Sequence, residues 1–128
     1  MIATIATPDA PQAIGPYSQA VVADGFVFAS GQIALDPKTG EMVGDTVEAQ
    51  TEQIFSNVQA LLQAAGSDLE HVIKTTCFLA SIEEFAAFNE VYGRYFKTHL
   101  PARSALGVAG LPKGALVEVE VIAKEIDA

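Results

Sequence analysis

The sequence predicts an α+β sandwich, with helices laid over one face of a sheet, on three observations. Two long stretches repeat apolar residues at helical spacing, short β-branched runs lie around them, and Gly or Pro clusters separate the two kinds of segment. At 128 residues and 50% hydrophobic content, the chain has the size of one compact domain over 1–128.

The first strands are Val21-Val22 and Phe26 to Ser30. Between them, Ala23-Asp24-Gly25 places Asp-Gly between apolar runs, the mark of a hairpin turn that needs positive φ. Asp36-Pro37-Lys38-Thr39-Gly40 is a second turn cluster, and Asp45 and Glu48 then stand at capping-box spacing, so a helix is expected to begin near Thr46. Its apolar face comprises Val47, Ile54, Val58, Leu61, Leu62 and Ala65, and Gly66 stops it. Val72 to Leu79 is rich in β-branched residues and reads as a strand.

Ser81 and Glu84 are again three apart, at the start of a second helix running towards Phe96 with a stripe of Ile82, Phe85, Phe88, Tyr92 and Phe96. Six of the ten Phe and Tyr residues fall between Phe78 and Phe96, which marks this region as core. Pro101 blocks further helix. Ala102 to Val108 and Leu116 to Ala123 are the closing strands, joined through Leu111-Pro112-Lys113-Gly114, with Val117, Val119 and Val121 alternating against Glu118 and Glu120. Two helices cover one sheet face, and Ala105, Gly107 and Val119 are too apolar for a wetted surface on the other, so a homo-oligomer is expected.

Charge and composition narrow the function. Sixteen acidic against seven basic residues give a net charge of -9, which repels phosphate backbones and disfavours nucleic acid as a partner. Met1 to Gln12 lacks the basic and apolar segments of a secretory signal, and no stretch approaches a membrane span, so a cytoplasmic protein without a membrane partner is expected. Cys77 is the single cysteine, inside an apolar strand, and reads as a buried inert thiol. His71 and His99 fit no metal-ligand pattern, and Gly107-Val108-Ala109-Gly110 does not match a dinucleotide fingerprint. No metal and no cofactor are expected.

Four residues are candidates for chemistry. Arg103, one of two arginines, follows Pro101-Ala102 at a strand entry and suits a carboxylate bidentately. From the residues alone, an ion pair at a sheet edge explains it more readily. Glu118 shares a strand face with Glu120, and at least one of them could reach the space of Arg103 to orient water or shuttle a proton. A solvated strand face is the plainer account. Ser30 ends a strand before Gly31, where a ligand can approach closely, and Tyr17 follows a Gly-Pro turn that can hold its ring at a pocket rim. A turn-forming serine and ordinary core packing of the tyrosine explain them as well.

Taken together, Ile14-Gly15-Pro16-Tyr17-Ser18-Gln19, Ser30-Gly31-Gln32, Asp36-Pro37-Lys38-Thr39-Gly40, Lys74-Thr75-Thr76 and Pro101-Ala102-Arg103-Ser104 resemble the Rid family, also called YjgF. The likeness continues through Leu111-Pro112-Lys113 and Val117 to Ala123, spans essentially the whole chain, and is nearest to the RidA subgroup. It implies a chorismate-mutase-like α+β fold, a homotrimer with ligand sites between subunits, and no cofactor. The implied reaction is hydrolysis of 2-imino acids such as 2-iminobutanoate and 2-iminopropanoate, released by pyridoxal-phosphate enzymes, to 2-keto acids and ammonia. By motif position Arg103 matches the carboxylate-binding arginine, Glu118 the glutamate that positions water, and Tyr17 and Ser30 residues lining the pocket, with Gly31 and Asn89 beside them. Ala105 stands where many close relatives carry Cys; thiol-dependent properties are not expected, while the backbone at 105 can still contact the ligand. An endoribonuclease or translation inhibitor, and a non-catalytic regulator binding small carboxylates, are the alternatives.

Overall fold

The computed structural model describes residues 1–127; Ala128, the last residue of the expected domain, lies outside them. Asp24 and Gly25 both take positive φ, 52° and 81°, the backbone of the two-residue turn that suits strand twist. That turn joins β2 (Ala20–Ala23) to β3 (Phe26–Ala29), with Val22 opposite Val27. A strand that the sequence reading missed, β1 (Ile2–Ile5), adds to β2 at the sheet edge. Its IATI sequence is mostly exposed, so it carries no buried pattern to betray it.

Helix α1 (Val47–Ala64) starts one position later than the Asp45–Glu48 spacing suggests. Thr46 is the cap, its Oγ1 accepting from Ala49 N at 3.1 Å, which satisfies one of the free N–H groups of the first turn. Gly66, at φ 81°, closes the other end. All six residues of the expected apolar face are buried.

Strand β4 (Val72–Leu79) has the expected bounds. Ser81 caps nothing: a single 3-10 turn, Ile82–Glu84, precedes α2 (Phe85–Tyr95), and Ile82 is exposed rather than core. Phe88, Tyr92 and Phe96 are buried as expected. Phe55 of α1 meets the rings of Tyr92, Tyr95 and Phe96.

Strands β5 (Ala102–Gly107) and β6 (Val117–Lys124) complete a six-stranded sheet in the order β1-β2-β3-β6-β4-β5. The last two strands are not neighbours, because β4 lies between them, antiparallel to β6 and parallel to β5. A parallel pair needs a crossover, and α2 supplies it.

Both helices cover the face formed by Val27, Val72, Cys77, Leu79, Val117, Val119 and Val121. Val119 therefore belongs to the covered face and is fully buried, contrary to its expected place on the open one. Ala105, opposite Cys77, packs against the same core, and a Cβ at Gly107 would meet Ile82. The alternation is correct but its phase is reversed for these three residues. The uncovered face carries instead Phe28 and Leu106, both exposed, with Phe78 between Leu106 and Glu118 in the pairing. No helix among the described residues is long and apolar enough to cross a membrane.

Candidate functional site

Where β3 ends, the chain leaves its pairing with β2 and bonds to β6. Ser30 N donates to Gln19 O, while Gln32 and Val119 exchange both backbone hydrogen bonds, at 2.8 and 3.0 Å. This crossing sets Ser30-Gly31 beside Glu118. A Cβ on Gly31 would fall on the Glu118 carboxylate, so glycine is what allows the approach.

Tyr17, Ser30, Gly31 and Glu118 line one cleft of about 430 Å³, with Glu120 and Lys113 at its sides. Ser30 Oγ donates to Ser18 O at 2.6 Å, so its hydroxyl holds the loop while the residue faces the cleft. Tyr17 is exposed at the rim, where its hydroxyl accepts weakly from Ile14 N.

The loop behind the cleft is stapled by a residue that the sequence reading gave no role. Gln19 is buried, accepts from Thr7 N and donates to the carbonyls of Thr7, Ala10 and Pro11. A fully bonded buried amide fixes a loop that has no regular structure of its own. Gln19 stands inside the quoted Ile14–Gln19 segment, but a polar residue next to a strand gives no sign of burial.

Glu118 is half-buried and lies in no salt bridge formed among the described residues. Burial pushes its carboxyl above the usual carboxylate range, and the charge of Glu120 on the same strand face adds to the shift. A carboxyl so placed holds a proton more readily than one in water, as a proton-transfer group must.

Arg103 is elsewhere. It stands opposite buried Thr75 in the register, on the helix-covered side. Its guanidinium lies over the rings of Tyr92 and Phe85, at 4.7 and 5.2 Å, and Nη1 donates to Asn89 Oδ1 at 2.7 Å. Glu118 pairs with Phe78, on the uncovered face. Within one chain the two residues therefore do not share a space, contrary to expectation, because Arg103 and Glu118 stand in opposite phases of the strand alternation.

The ion pair expected from the residues alone is not formed among the described residues either. The salt bridges formed among the described residues are Arg94 with Glu52 and His71 with Asp68. Arg103 opens instead into a second cleft, of about 440 Å³, with Asn89, Tyr92, Gly93, Phe96, Leu100 and Pro101.

The remaining candidates are structural. Cys77 is buried and its thiol is pushed up to about 11, chiefly by desolvation, so little thiolate exists at neutral pH. His71 bonds Asp68, and His99 bonds the carbonyl of Val72. No group of three potential metal ligands comes together among the described residues.

The family described as Endoribonuclease L-PSP matches residues 7–125. The chain belongs to this family, the YjgF or Rid family. A Lactococcus lactis protein named for a regulatory role, AldR, is 58% identical to this Rid chain over 120 residues, 94% of the chain and 95% of that protein. The human 2-iminobutanoate/2-iminopropanoate deaminase is 48% identical over 119 residues, covering 93% and 87%. Among solved structures, yeast Mmf1 superposes with a TM-score of 0.95 at 42% identity, over 98% of the Rid chain and all of the other. Escherichia coli TdcF with bound serine gives 0.90 at 42% identity, over 97% and 99%.

Proposed function

We propose that the chain is a 2-iminobutanoate/2-iminopropanoate deaminase, hydrolysing 2-imino acids and their enamine tautomers to 2-keto acids and ammonia. The observation that carries this reading is Glu118, a half-buried carboxylate in no ion pair among the described residues, raised in pKa and set against Gly31 in a cleft. An imine carbon is electrophilic without help, so hydrolysis requires placement of a water and a relay for its proton. No covalent nucleophile, metal or organic cofactor is required.

In the proposed mechanism Arg103 binds the substrate carboxylate bidentately, with Asn89 beside it. Glu118 takes a proton from a water as the oxygen bonds to the iminium carbon. The same carboxyl returns that proton to the nitrogen of the carbinolamine, and the C–N bond breaks. As the O–H electrons form the carbonyl, the hydroxyl proton passes to the Glu118 carboxylate and from it to the departing ammonia, which leaves as ammonium. Tyr17, Ser30, Gly31 and the backbone at Ala105 complete the walls.

The opposite placement of Arg103 and Glu118 supports a site shared between subunits of a homotrimer. The uncovered sheet face, with exposed Phe28 and Leu106, supports burial against another copy. A buried, unbridged thiol suits a reducing compartment and so supports the cytoplasm. Similarity to the human deaminase and to a TdcF structure holding serine supports a small carboxylate substrate.

The name AldR favours one second reading, a regulator that binds small carboxylates without turnover. Ribonuclease action, suggested by the family's description, is disfavoured by a net charge of -9. The test is to couple the purified protein to a dehydratase that releases 2-iminobutanoate and follow keto-acid formation. Acceleration over the buffer rate is expected; none would leave the regulator.

A further inference from the structure

Arg103 is exposed, and a long exposed side chain loses rotamer freedom whenever it must hold one geometry. Three residues of α2 already impose that geometry. Phe85, Asn89 and Tyr92 are four and three residues apart, so they form one stripe along the helix. The guanidinium carbon lies 4.7 Å from the Tyr92 ring centroid and 5.2 Å from that of Phe85, while Asn89 Oδ1 accepts from Nη1 at 2.7 Å.

Tyr92 is itself fixed. It is 7% exposed and packs against Phe55, Phe88 and Phe96. Its hydroxyl is 2.8 Å from Thr75 Oγ1, and Thr75 is the β4 residue paired with Arg103. Helix α2 is thus tied through Tyr92 to β4, the strand that pairs with the edge strand carrying Arg103.

We infer that Tyr92 and Phe85 are positioning residues, whose ring faces hold the Arg103 guanidinium in one plane so that it meets a substrate carboxylate already oriented. Stacking on aromatic faces fixes the plane, and the Asn89 bond fixes rotation within it. The other guanidinium N–H groups donate to no partner among the described residues. Ordering the fork before binding removes a cost that a carboxylate ligand would otherwise meet. The inference rests on the reading of Arg103 as a carboxylate clamp.

The test is binding of 2-oxobutanoate and of its uncharged amide, 2-oxobutanamide, by titration calorimetry. Wild type is expected to prefer the acid. Tyr92→Leu should weaken the acid about tenfold and the amide by less than about twofold, while Tyr92→Phe, which keeps a ring face, restores the preference for the acid. A merely structural role would weaken both ligands together, and that result, or an unchanged preference in Tyr92→Leu, overturns the inference. Should Tyr92→Leu not fold, Phe85→Leu at its half-buried position carries the same test with the same two outcomes. If wild type does not distinguish acid from amide, the clamp reading falls and the inference with it; if wild type distinguishes them and the leucine variants do so equally, only the positioning role falls.

Discussion

Arg103 and Glu118 stand on opposite faces of one sheet, Arg103 beside buried Thr75 under the helices and Glu118 beside Phe78 on the uncovered side. No rotamer carries a side chain through a hydrogen-bonded sheet. If both act on one substrate, they come from different copies of the chain, and each copy offers half of two sites.

Arg103→Ala should lower kcat/KM about a hundredfold, the loss of a paired charge-assisted contact. Its stability should fall by no more than about 1 kcal/mol, since the residue is exposed, lies in no ion pair among the described residues, and gives up only its ring stacking and the Asn89 bond. Arg103→Lys keeps charge without the planar fork and should recover little activity. Steady-state kinetics beside thermal unfolding check both statements, and a large fall in Tm would make the arginine structural.

Gly31→Ala tests the close approach at the base of the cleft. The added Cβ displaces the Glu118 carboxylate, and misplacing a proton-transfer group should cost roughly ten- to a hundredfold in kcat. Gly31 has no positive φ, so Tm should move little. Wild-type kcat in this variant would remove Glu118 from the chemistry.

The pH dependence follows from the raised pKa of Glu118. As a base, the carboxylate must be ionised, so activity falls as pH drops through its folded pKa. Glu120→Gln removes the like charge and should move that acidic limb to lower pH, read from a kcat/KM profile. For stability the sign is opposite to that of a salt-bridged acid. The folded state binds the proton more tightly than the unfolded one, so stability declines as pH rises from the ordinary carboxylate range through the raised value. Glu118→Gln should therefore be slightly more stable than wild type at neutral pH, and less active.

Much of the scaffold was legible because burial leaves a period in the sequence. The faces of α1 and β4 and the Asp24-Gly25 turn are cases in which local chemistry and packing agree. β1 was invisible because its residues are mostly exposed, and Ile82 misled because one 3-10 turn shifts it off the stripe of α2. The candidate residues could be singled out one by one, but their arrangement in the fold could not be read. Alternation shows that Glu118 and Val119 face opposite ways; only the helices decide which face is covered. The ring support of Arg103 was hidden because Phe85 and Tyr92 look like ordinary core.

Thr46→Ala checks the scaffold independently of function. Loss of its bond to Ala49 N should cost about 1 kcal/mol, a fall of roughly 3–6 °C in Tm for a chain of this size, with kcat unchanged. Asp45→Ala should cost less.

The most direct test of a divided site is complementation. Arg103→Ala and Glu118→Gln chains, each nearly inactive alone, are unfolded together, refolded at equal concentration and assayed for 2-iminobutanoate hydrolysis. Random assembly gives each site an intact arginine half the time and an intact glutamate half the time, so about a quarter of wild-type activity should return. Recovery of none, from mixed oligomers verified by mass, would contradict a site built from Arg103 of one copy and Glu118 of another.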